Sequence, residues 1–368
     1  MLSGTGTATI RVSRNFIVNN GHSIQTENGA LLIEANQQTT PTADFFSGVN
    51  MNGGTNGGAI RVTGSGALTV KGRSGNNTGG NQYGVRMADN TIIRGGTGPV
   101  EVEGIAIGNA ANAGFDGVWL SASAQITSIG GNVLVKGTGG SQGAGNNAGV
   151  RVIGGAFITA GGAGTVTVEG TGGSAGTNNF GVSVEGTGSL ITAASGAVTV
   201  TGTGTNGAAD INMQTGGAIT STSTTTGILL NSTTNGINPN TAGTDVSTTA
   251  TQKTTLGTGS KLNIDIDGTT VNTQYRQLAV VGIIDLNSAT LTFTGSTHTP
   301  TAGQTFIIVD NDGTDVIEGT FAGLVEGALV TTAPFNNRWA RISYIGGTGN
   351  DVVLTVLEPD YSITTTGN

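Results

Sequence analysis

The chain contains no cysteine and very few aromatic residues. Among its 368 residues, Phe, Trp and Tyr together make up 4%. The absence of cysteine excludes a disulfide framework and a thiolate metal site. So few aromatic side chains cannot fill the core of an ordinary globular domain of this length. A β-solenoid needs only small aliphatic residues stacked in columns, and this composition therefore favours a solenoid.

Charge is also scarce, and no long apolar run is present. Charged residues make up 10% of the chain, and the net charge is −8. Because no basic stripe runs along the sequence, we expect no nucleic-acid partner. No run approaches the roughly 20 apolar residues of a transmembrane helix. Residues 1–4 lack the charged and apolar regions of a signal peptide, so we expect the export signal to lie outside this chain and the chain to be part of a larger protein.

Glycine is abundant, and apolar residues recur at regular intervals. There are 66 glycines in 368 residues, against a usual share of about 7%. Such enrichment alone would suggest disorder, but 35% of the residues are hydrophobic and the mean hydropathy is +0.04. The apolar residues form short strands rather than scattered positions, which indicates an ordered repetitive fold.

Three short strands recur with a period of about 32 residues. The first begins at Gly48 and recurs at intervals of 36, 33, 32, 32 and 29 residues. Its starts are Gly48, Gly84, Gly117, Gly149, Gly181 and Asp210, with residues 10–12 as an earlier copy. The second centres on Ile24, Ile92, Ile126, Ile158, Ile191 and Ile219. The third spans residues 31–33, 68–70, 100–102, 133–135, 166–168, 198–200 and 228–230.

This period predicts an all-β fold: a parallel β-helix with three strands per rung and about seven rungs over residues 1–235. In each strand triplet the first and third residues face inward and the middle one outward. Successive rungs stack about 4.8 Å apart, so each backbone pairs with the rungs above and below. Glycines mark the corners, where backbones pack closely or φ is positive. The right-handed form follows from the preference of parallel crossovers.

One outward column alternates in charge. The residue that follows the third strand is, in successive rungs, Glu34, Lys71, Glu103, Lys136 and Glu169. Opposite charges on neighbouring strands attract, whereas a slip by one rung would stack like charges. We therefore expect a structural charge ladder that fixes the register of the rungs.

A second outward column places Trp119 between Arg86 and Arg151. Arginine guanidinium groups pack against tryptophan faces through cation–π contacts. The column therefore predicts a surface sandwich of the ring between two arginines. The alternative interpretation is a platform on which a sugar ring stacks.

Polar loops rich in Gly, Asn, Ser and Thr connect the third strand of one rung to the first strand of the next. They span residues 72–83, 104–116, 137–148 and 170–180. Because they share one phase of the repeat, they project from one edge, where solenoids often bind ligands. Aromatic residues near the loop ends either pack against the solenoid corner or stack on glycans. Together with the tryptophan, the candidate binding residues are Tyr83, Phe115, Trp119 and Phe180.

After about residue 231 the period is lost, although alternating strands continue. Residues 236–358 are therefore expected to form a β-rich cap, because a bare solenoid end is an aggregation-prone edge. Residues 359–368 are expected to begin another repeat or to be a linker. In order, the region contains YRQLAVVG (275–282), AGQTFIIVDNDG (302–313), GTFAGLVEG (319–327) and ISYIGGTGNDVVL (342–354).

This ordered set resembles the C-terminal segment of autotransporter-like passenger domains and of large repetitive bacterial surface proteins. The resemblance covers roughly residues 270–357. It implies a secreted or surface-displayed β-helix with a folding cap, and it implies no catalytic residue. The membrane β-barrel that follows true autotransporter passengers is absent from these 368 residues, which leaves the export route open.

Motifs for metal binding and catalysis are weak. Residues 346–354 match one copy of a calcium nonapeptide, but such sites draw ligands from consecutive turns. Residues 310–313 resemble the start of an EF-hand loop, yet Phe321 stands where its final Glu belongs. His22 and His298 show no zinc or triad spacing. We therefore expect no cofactor, with calcium as an open alternative, and no enzymatic activity.

These observations together predict an extracellular bacterial structural protein: a stalk, a filament subunit, or a component of a matrix or surface layer. Its expected partners are further copies of itself or other surface and matrix components. The alternative is an adhesin that binds polysaccharide or host surfaces through the loop edge. A polysaccharide lyase or hydrolase is a third alternative, but glycosidic cleavage needs carboxylates clustered in one groove, and the acids of this repeat are scattered.

Overall fold

A computed structural model of the chain describes residues 4–77, 79–108, 114–141, 144–295, 298–331, 335 and 338–358. Residues 359–368, expected to begin a further repeat or to be a linker, lie outside this part. The fold is all-β, with three long sheets wound into a β-solenoid of about nine turns. In the part of the chain so described, the only helix is a single 3-10 turn at Gly54–Asn56.

The strands, numbered along the chain, pass in turn through three sheets, which we call sheets I, II and III. Sheet I contains β1 (Ala8–Val12), β4 (Leu31–Ala35), β7 (Leu68–Arg73), β10 (Val100–Ile105), β13 (Val133–Thr138), β16 (Val166–Thr171), β19 (Val198–Thr203), β22 (Ile228–Ser232), β25 (Lys253–Leu256), β28 (Ile283–Asp285) and β31 (Ile317–Glu318). Sheet II contains β2 (Phe16–Asn19), β5 (Val49–Asn52), β8 (Val85–Ala88), β11 (Val118–Leu120), β14 (Val150–Ile153), β17 (Val182–Glu185), β20 (Ile211–Gln214), β23 (Ile237–Asn238), β26 (Lys261–Asp265) and β29 (Thr290–Thr294). Sheet III contains β3 (Ser23–Thr26), β6 (Ala59–Val62), β9 (Ile92–Gly95), β12 (Gln125–Ser128), β15 (Phe157–Ala160), β18 (Leu190–Ala193), β21 (Ala218–Ser221), β24 (Val246–Ser247), β27 (Leu278–Val281), β30 (Thr305–Asn311), β34 (Asp351–Val356), β33 (Ala340–Gly346) and β32 (Leu329–Val330).

The core consists of aliphatic columns that run along the solenoid axis. Alternation within each strand turns every second side chain inward, and the same position of the next rung stacks on it. The central column of sheet I is fully buried at Ile33, Val70, Val102, Val135, Val168, Val200 and Leu230. Sheet III contributes Ile60, Ile93, Ile126, Ile158, Ile191 and Ile219 in the same way. Small branched side chains therefore fill the narrow interior without a large aromatic cluster.

Two glycine columns pack backbone against backbone at the corner between sheets I and II. A Cβ atom added at Gly104 would lie 2.1 Å from the carbonyl oxygen of Gly117, and one added at Gly137 would lie 1.9 Å from that of Gly149. Neither Gly104 nor Gly137 has a positive φ. Close approach, rather than backbone conformation, therefore requires glycine at this corner.

The structure shifts three details of the predicted strand pattern. Residues 10–12 belong to sheet I, because Ile10 pairs with Ile33; the prediction that they copy the first strand, which belongs to sheet II, was wrong. In sheet III, Ile93 rather than Ile92 pairs with Ile126. Ile60 occupies a rung of this column that the sequence pattern missed.

The coil also continues beyond the expected end of its repeats. Parallel pairing runs from β20 to β23 and from β22 to β25, across residues 235 and 236. The solenoid accordingly has about nine turns rather than the expected seven. The added rungs escaped the sequence pattern because β23, β24 and β31 contain only two residues each.

Sheet III changes from parallel to antiparallel pairing at its C-terminal end. Strand β30 pairs with β34, β34 with β33, and β33 with β32, all antiparallel. An aromatic cluster includes Phe306 of β30. The ring of Phe306 stacks on Phe335 at 5.3 Å and contacts Tyr275 edge-on at 5.4 Å. The antiparallel strands pair with the final edge of sheet III, as a cap would.

None of the helical structure in the described ranges is long and apolar enough to cross a membrane.

Candidate functional site

The five residues of the charge ladder lie in one column of sheet I. Backbone register pairs Glu34 with Lys71, Lys71 with Glu103, Glu103 with Lys136, and Lys136 with Glu169. Arg11 precedes them as the partner of Glu34 and extends the alternation by one rung. Alternation of the strand places all of these side chains on the outer face.

The ion pairs of this column are unequal. Lys71 contacts Glu103 at 2.9 Å and also Glu101, one strand position away, at 3.3 Å. Lys136 contacts Glu169 at 3.2 Å, and Arg11 pairs with Glu34. The hydrogen bond that Lys71 donates to Glu103 is the main cause that raises the pKa of Lys71, against the opposing effect of burial.

The outward column of sheet II brings Arg86, Trp119 and Arg151 onto neighbouring strands. The guanidinium of Arg86 lies 5.2 Å from the centre of the Trp119 ring, which confirms one half of the predicted sandwich. Arg151 instead forms an ion pair with Glu185 at 2.9 Å. The second ring contact of Trp119 is with Tyr83, which stacks at 5.1 Å and an interplanar angle of 18°.

Around this stacked pair lies a cleft of about 620 Å³. The loops on the edge of sheet II form its sides and the sheet forms its floor. Its lining residues are Gly80, Asn81, Tyr83, Gly114, Asp116, Trp119, Asn146 and Arg151. Residues 78, 109–113 and 142–143 of the adjoining loops lie outside the described part. The cleft combines two aromatic rings, two amide side chains and two charged groups, the mixture expected of a site for a polar ring compound.

Asp116 is the buried acid of the cleft. Burial raises its pKa to about 7, while Arg151 and the hydrogen bond from the Ala148 amide lower it and Glu185 raises it further. The Ala148 amide donates to Asp116 Oδ1 at 2.6 Å. Burial opposes the charge of Arg151, but Asp116 and Glu185 together hold the pKa of this arginine above its usual value. Near neutral pH the carboxyl of Asp116 therefore exists in both protonation states.

A hydrogen-bonded chain on sheet II leads to Arg151 of the cleft. Ser183 Oγ donates to Glu185 Oε1 at 2.7 Å, and Asn212 Nδ2 donates to Ser183 Oγ at 3.0 Å. Ser183 and Asn212 are fully buried although they belong to the outward column. Because Glu185 also binds Arg151, the guanidinium at the cleft wall is held in place before any ligand arrives.

No protein-family model, curated protein or solved structure matches this chain. The site must therefore be judged from its own geometry.

The four candidate binding residues separate into two groups. Tyr83 and Trp119 line the cleft, with Tyr83 7% exposed and Trp119 half-buried. Phe115 is fully buried, and its Cβ would lie 2.6 Å from a Cβ added at Gly140, so it packs against the loop backbone. Phe180 is half-buried and does not line the cleft. Packing is thus the role of Phe115. Because Tyr83 is buried against Trp119, most of the aromatic surface available to a ligand belongs to Trp119.

Two charged residues escaped the sequence analysis: Asp116, which lines the cleft, and Glu185, which binds Arg151 beside it. Asp116 immediately precedes Gly117, at the position that Tyr83, Ala148 and Phe180 occupy in other rungs. A charged residue at a corner position otherwise held by apolar side chains is a signal that could have singled it out. Glu185 follows the first strand of its rung and shows no such departure from the pattern.

The candidate calcium motifs have internal partners. Asp351 of the nonapeptide accepts hydrogen bonds from the amides of Asn311 and Thr348, at 2.9 and 2.8 Å. In the EF-hand-like stretch, the Asn311 side chain donates to the Asp315 carbonyl. Within the described ranges, no group of three or more histidine, aspartate or glutamate residues is arranged to hold a metal ion.

Proposed function

We propose that the chain is a non-catalytic structural solenoid of the bacterial cell exterior: a stalk, a filament subunit, or a component of a matrix or surface layer. The observation that carries this proposal is the unbroken stacking of sheets I to III along the coil. About nine turns at the ~4.8 Å strand spacing give a rod roughly 40 Å long. Each strand inside it pairs on both edges, so bending must distort all three sheets together.

The exterior location is supported by the C-terminal motifs. Three of the four stretches that resemble autotransporter-like passenger segments coincide with β27, β30, β33 and β34, and the fourth, residues 319–327, lies between β31 and β32. These strands include the antiparallel hairpin at the end of sheet III, the place at which a folding cap would act. The proposed partners are further copies of the chain and other surface or matrix components.

Electron microscopy of the purified protein over a range of concentrations tests this proposal. We expect narrow rods, which assemble into ordered fibres or sheets as the concentration rises or which attach to the bacterial surface. A particle that stays monomeric at every concentration and attaches to no surface component would contradict it.

A second candidate function is glycan binding in the cleft, and the stacked Tyr83–Trp119 pair favours it. Sugar rings stack their apolar faces on aromatic side chains while their hydroxyl groups bond polar neighbours. Asn81, Asn146 and Arg151 supply such neighbours. In this interpretation the rod is an adhesin that presents the cleft to polysaccharide.

A glycan array tests the second candidate, with Trp119→Ala as the variant and Trp339→Ala as its matched control. Trp339 is the other tryptophan of the chain, lies 44% exposed, and is remote from the cleft in sequence. We expect Trp119→Ala to weaken glycan binding at least ~10-fold, because a sugar ring would lose the aromatic surface on which it stacks, and buried tryptophans are frequent binding hot spots. Equal binding by both variants would refute it. Release of reducing ends or unsaturated products in the same samples would indicate cleavage, the third alternative.

A further inference from the structure

Two arginines stand side by side on the outer face of sheet III. Arg61 of β6 and Arg94 of β9 are direct register partners. Gln25 precedes them in the column and Thr127 follows. Neighbouring strands lie about 4.8 Å apart, and like charges placed directly opposite each other destabilise a sheet. In sheet I the charges alternate from Arg11 to Glu169, and the like-charged register partners Asp285 and Glu318 share Lys253. The arginine pair differs because no such counter-charge bridges it in the described part of the chain.

In the described ranges, no acidic side chain forms an ion pair with either arginine. Among the residues that the structure describes, neither guanidinium has an ion-pair or hydrogen-bond partner. The Nε atom of Arg61 is in addition buried without a partner. By contrast, Lys71, Lys136 and Arg151 all contact carboxylates, in a chain whose net charge is −8. An unpaired buried donor costs about 1–3 kcal/mol. Arg151 Nε is also buried without a partner, but its guanidinium binds Glu185 through a second nitrogen, a contact that Arg61 lacks.

Cavities flank the two side chains. One of about 220 Å³ is lined by Gln25, Arg61, Arg94 and the half-exposed Ile129, among others. A second, of about 190 Å³, lies beside Arg61 and is lined by His22 and Asn90. The side chains of Arg61 and Arg94 therefore both border open space. The first cavity offers a group bound there both cationic donors and an apolar wall.

We propose that Arg61 and Arg94 form a binding site for a tetrahedral oxyanion, a sulfate or phosphate group, which bridges the two guanidinium groups. Arginine presents its N–H donors in a planar fork that matches sulfate and phosphate oxygens, and it stays charged at every physiological pH. An anion placed between the side chains removes their mutual repulsion and lies within reach of the unpaired Arg61 Nε. The site belongs to sheet III and shares no residue with the cleft on sheet II, so it goes beyond the proposed function.

Thermal unfolding with added salt tests the site itself. The melting temperature is compared in sodium sulfate and in sodium chloride of equal ionic strength, for the wild type, for the double variant R61Q/R94Q and for the single variant R94Q. The control is R338Q/R341Q, which removes the same two charges near the antiparallel end. Sulfate stabilises most proteins by exclusion from their surface, and that general effect is common to all variants.

We expect sulfate and phosphate to raise the melting temperature of the wild type and the control more than that of R61Q/R94Q. In chloride, R94Q is expected to melt no lower than the wild type, because it relieves the repulsion. Arg94 is exposed, so this single variant keeps the test valid if the double variant folds poorly. Identical sulfate effects in all variants would overturn the proposal.

Immobilised polymers then distinguish a free anion from an esterified one. Surface plasmon resonance is run on sulfated dextran, phosphorylated dextran, polygalacturonate and neutral dextran. An anionic glycan is identified as the ligand if the affinity for the sulfated or phosphorylated polymer falls at least ~10-fold in R61Q/R94Q but not in Trp119→Ala. No polymer binding, together with selective stabilisation by inorganic sulfate or phosphate, identifies a free oxyanion. Polymer binding that R61Q/R94Q leaves unchanged overturns the assignment, whatever the result at the cleft.

Discussion

The substitution Gly137→Ala should strongly destabilise the solenoid, although it adds a single methyl group. The new Cβ would lie 1.9 Å from the carbonyl oxygen of Gly149 and 2.5 Å from its carbonyl carbon. Both atoms belong to the backbone, so no side chain can swing aside. The two backbone segments would have to separate by about 1.5 Å before they reach ordinary contact at 3.4 Å.

The expected loss is about 2 kcal/mol of unfolding free energy or more. Overpacking a tightly packed site costs about 1–3 kcal/mol, and here the rungs on both sides resist the movement. Replacing Gly by Ala also lowers the conformational entropy of the unfolded chain. This effect stabilises the folded state by about 0.4–1 kcal/mol wherever alanine can adopt the native backbone conformation. Gly130→Ala isolates that second contribution, because the nearest atom to its added Cβ is a side-chain methyl at 4.0 Å and its φ is not positive.

Urea unfolding followed by far-ultraviolet circular dichroism measures the difference. With an m-value of ~3 kcal/mol/M, Gly137→Ala should lower the midpoint by roughly 0.7 M, while Gly130→Ala should leave it unchanged or raise it slightly. Equal midpoints for Gly137→Ala and the wild type would refute the explanation that close backbone approach requires glycine at this corner.

Three further predictions concern charge and packing. The folded pKa of Asp116, about 7, lies above its ordinary value of 3.8, so its contribution to stability is largest below pH 3.8 and is lost as the pH rises to about 7. Asp116→Asn should therefore be more stable than the wild type by up to a few kcal/mol at about pH 8, and this advantage should disappear near pH 4. Urea unfolding at the two pH values measures the difference, and a difference independent of pH would contradict the prediction. Lys71→Met should cost about 0.5–1 kcal/mol at low ionic strength and much less in about 1 M NaCl, and a cost that salt leaves unchanged would exclude an ionic origin. Phe115→Ala should lose about 3–5 kcal/mol in urea unfolding, and Phe180→Ala, at a half-buried position, clearly less; equal losses would argue against the packing role of Phe115.

Stacking is what made the fold predictable from the sequence. A parallel coil repeats the same environment in every rung, so a requirement of one corner reappears about 32 residues later. Gly117 and Gly149 show this for the corner, and Lys71 and Lys136 show it for the charge column. The prediction placed Ile92 in the column where the structure has Ile93. Two adjacent isoleucines both fit an apolar column in the sequence, and only the pairing of the strand decides which one faces inward.

The cleft could not be derived from the repeat, because it depends on contacts that occur once. Tyr83 stacks on Trp119 of the next rung, but the corresponding positions of the following rungs carry Asp116 and Arg151. The acidic corner residue was visible in the sequence, yet its burial and its proximity to Arg151 depend on how the loops fold over sheet II. A periodic argument cannot supply such aperiodic contacts.

The unequal ion pairs of sheet I bear on how such a chain can grow in evolution. Ion pairs form between Arg11 and Glu34, between Lys71 and Glu103, and between Lys136 and Glu169. The column therefore consists of couples, each of which is an ion pair between two neighbouring rungs. Duplication or deletion of one rung's coding segment would place like charges on neighbouring strands, whereas a change of two rungs preserves every couple. Selection on this face therefore favours lengths that change by an even number of rungs, and a gene that encodes such a solenoid should lengthen in segments of about 65 residues.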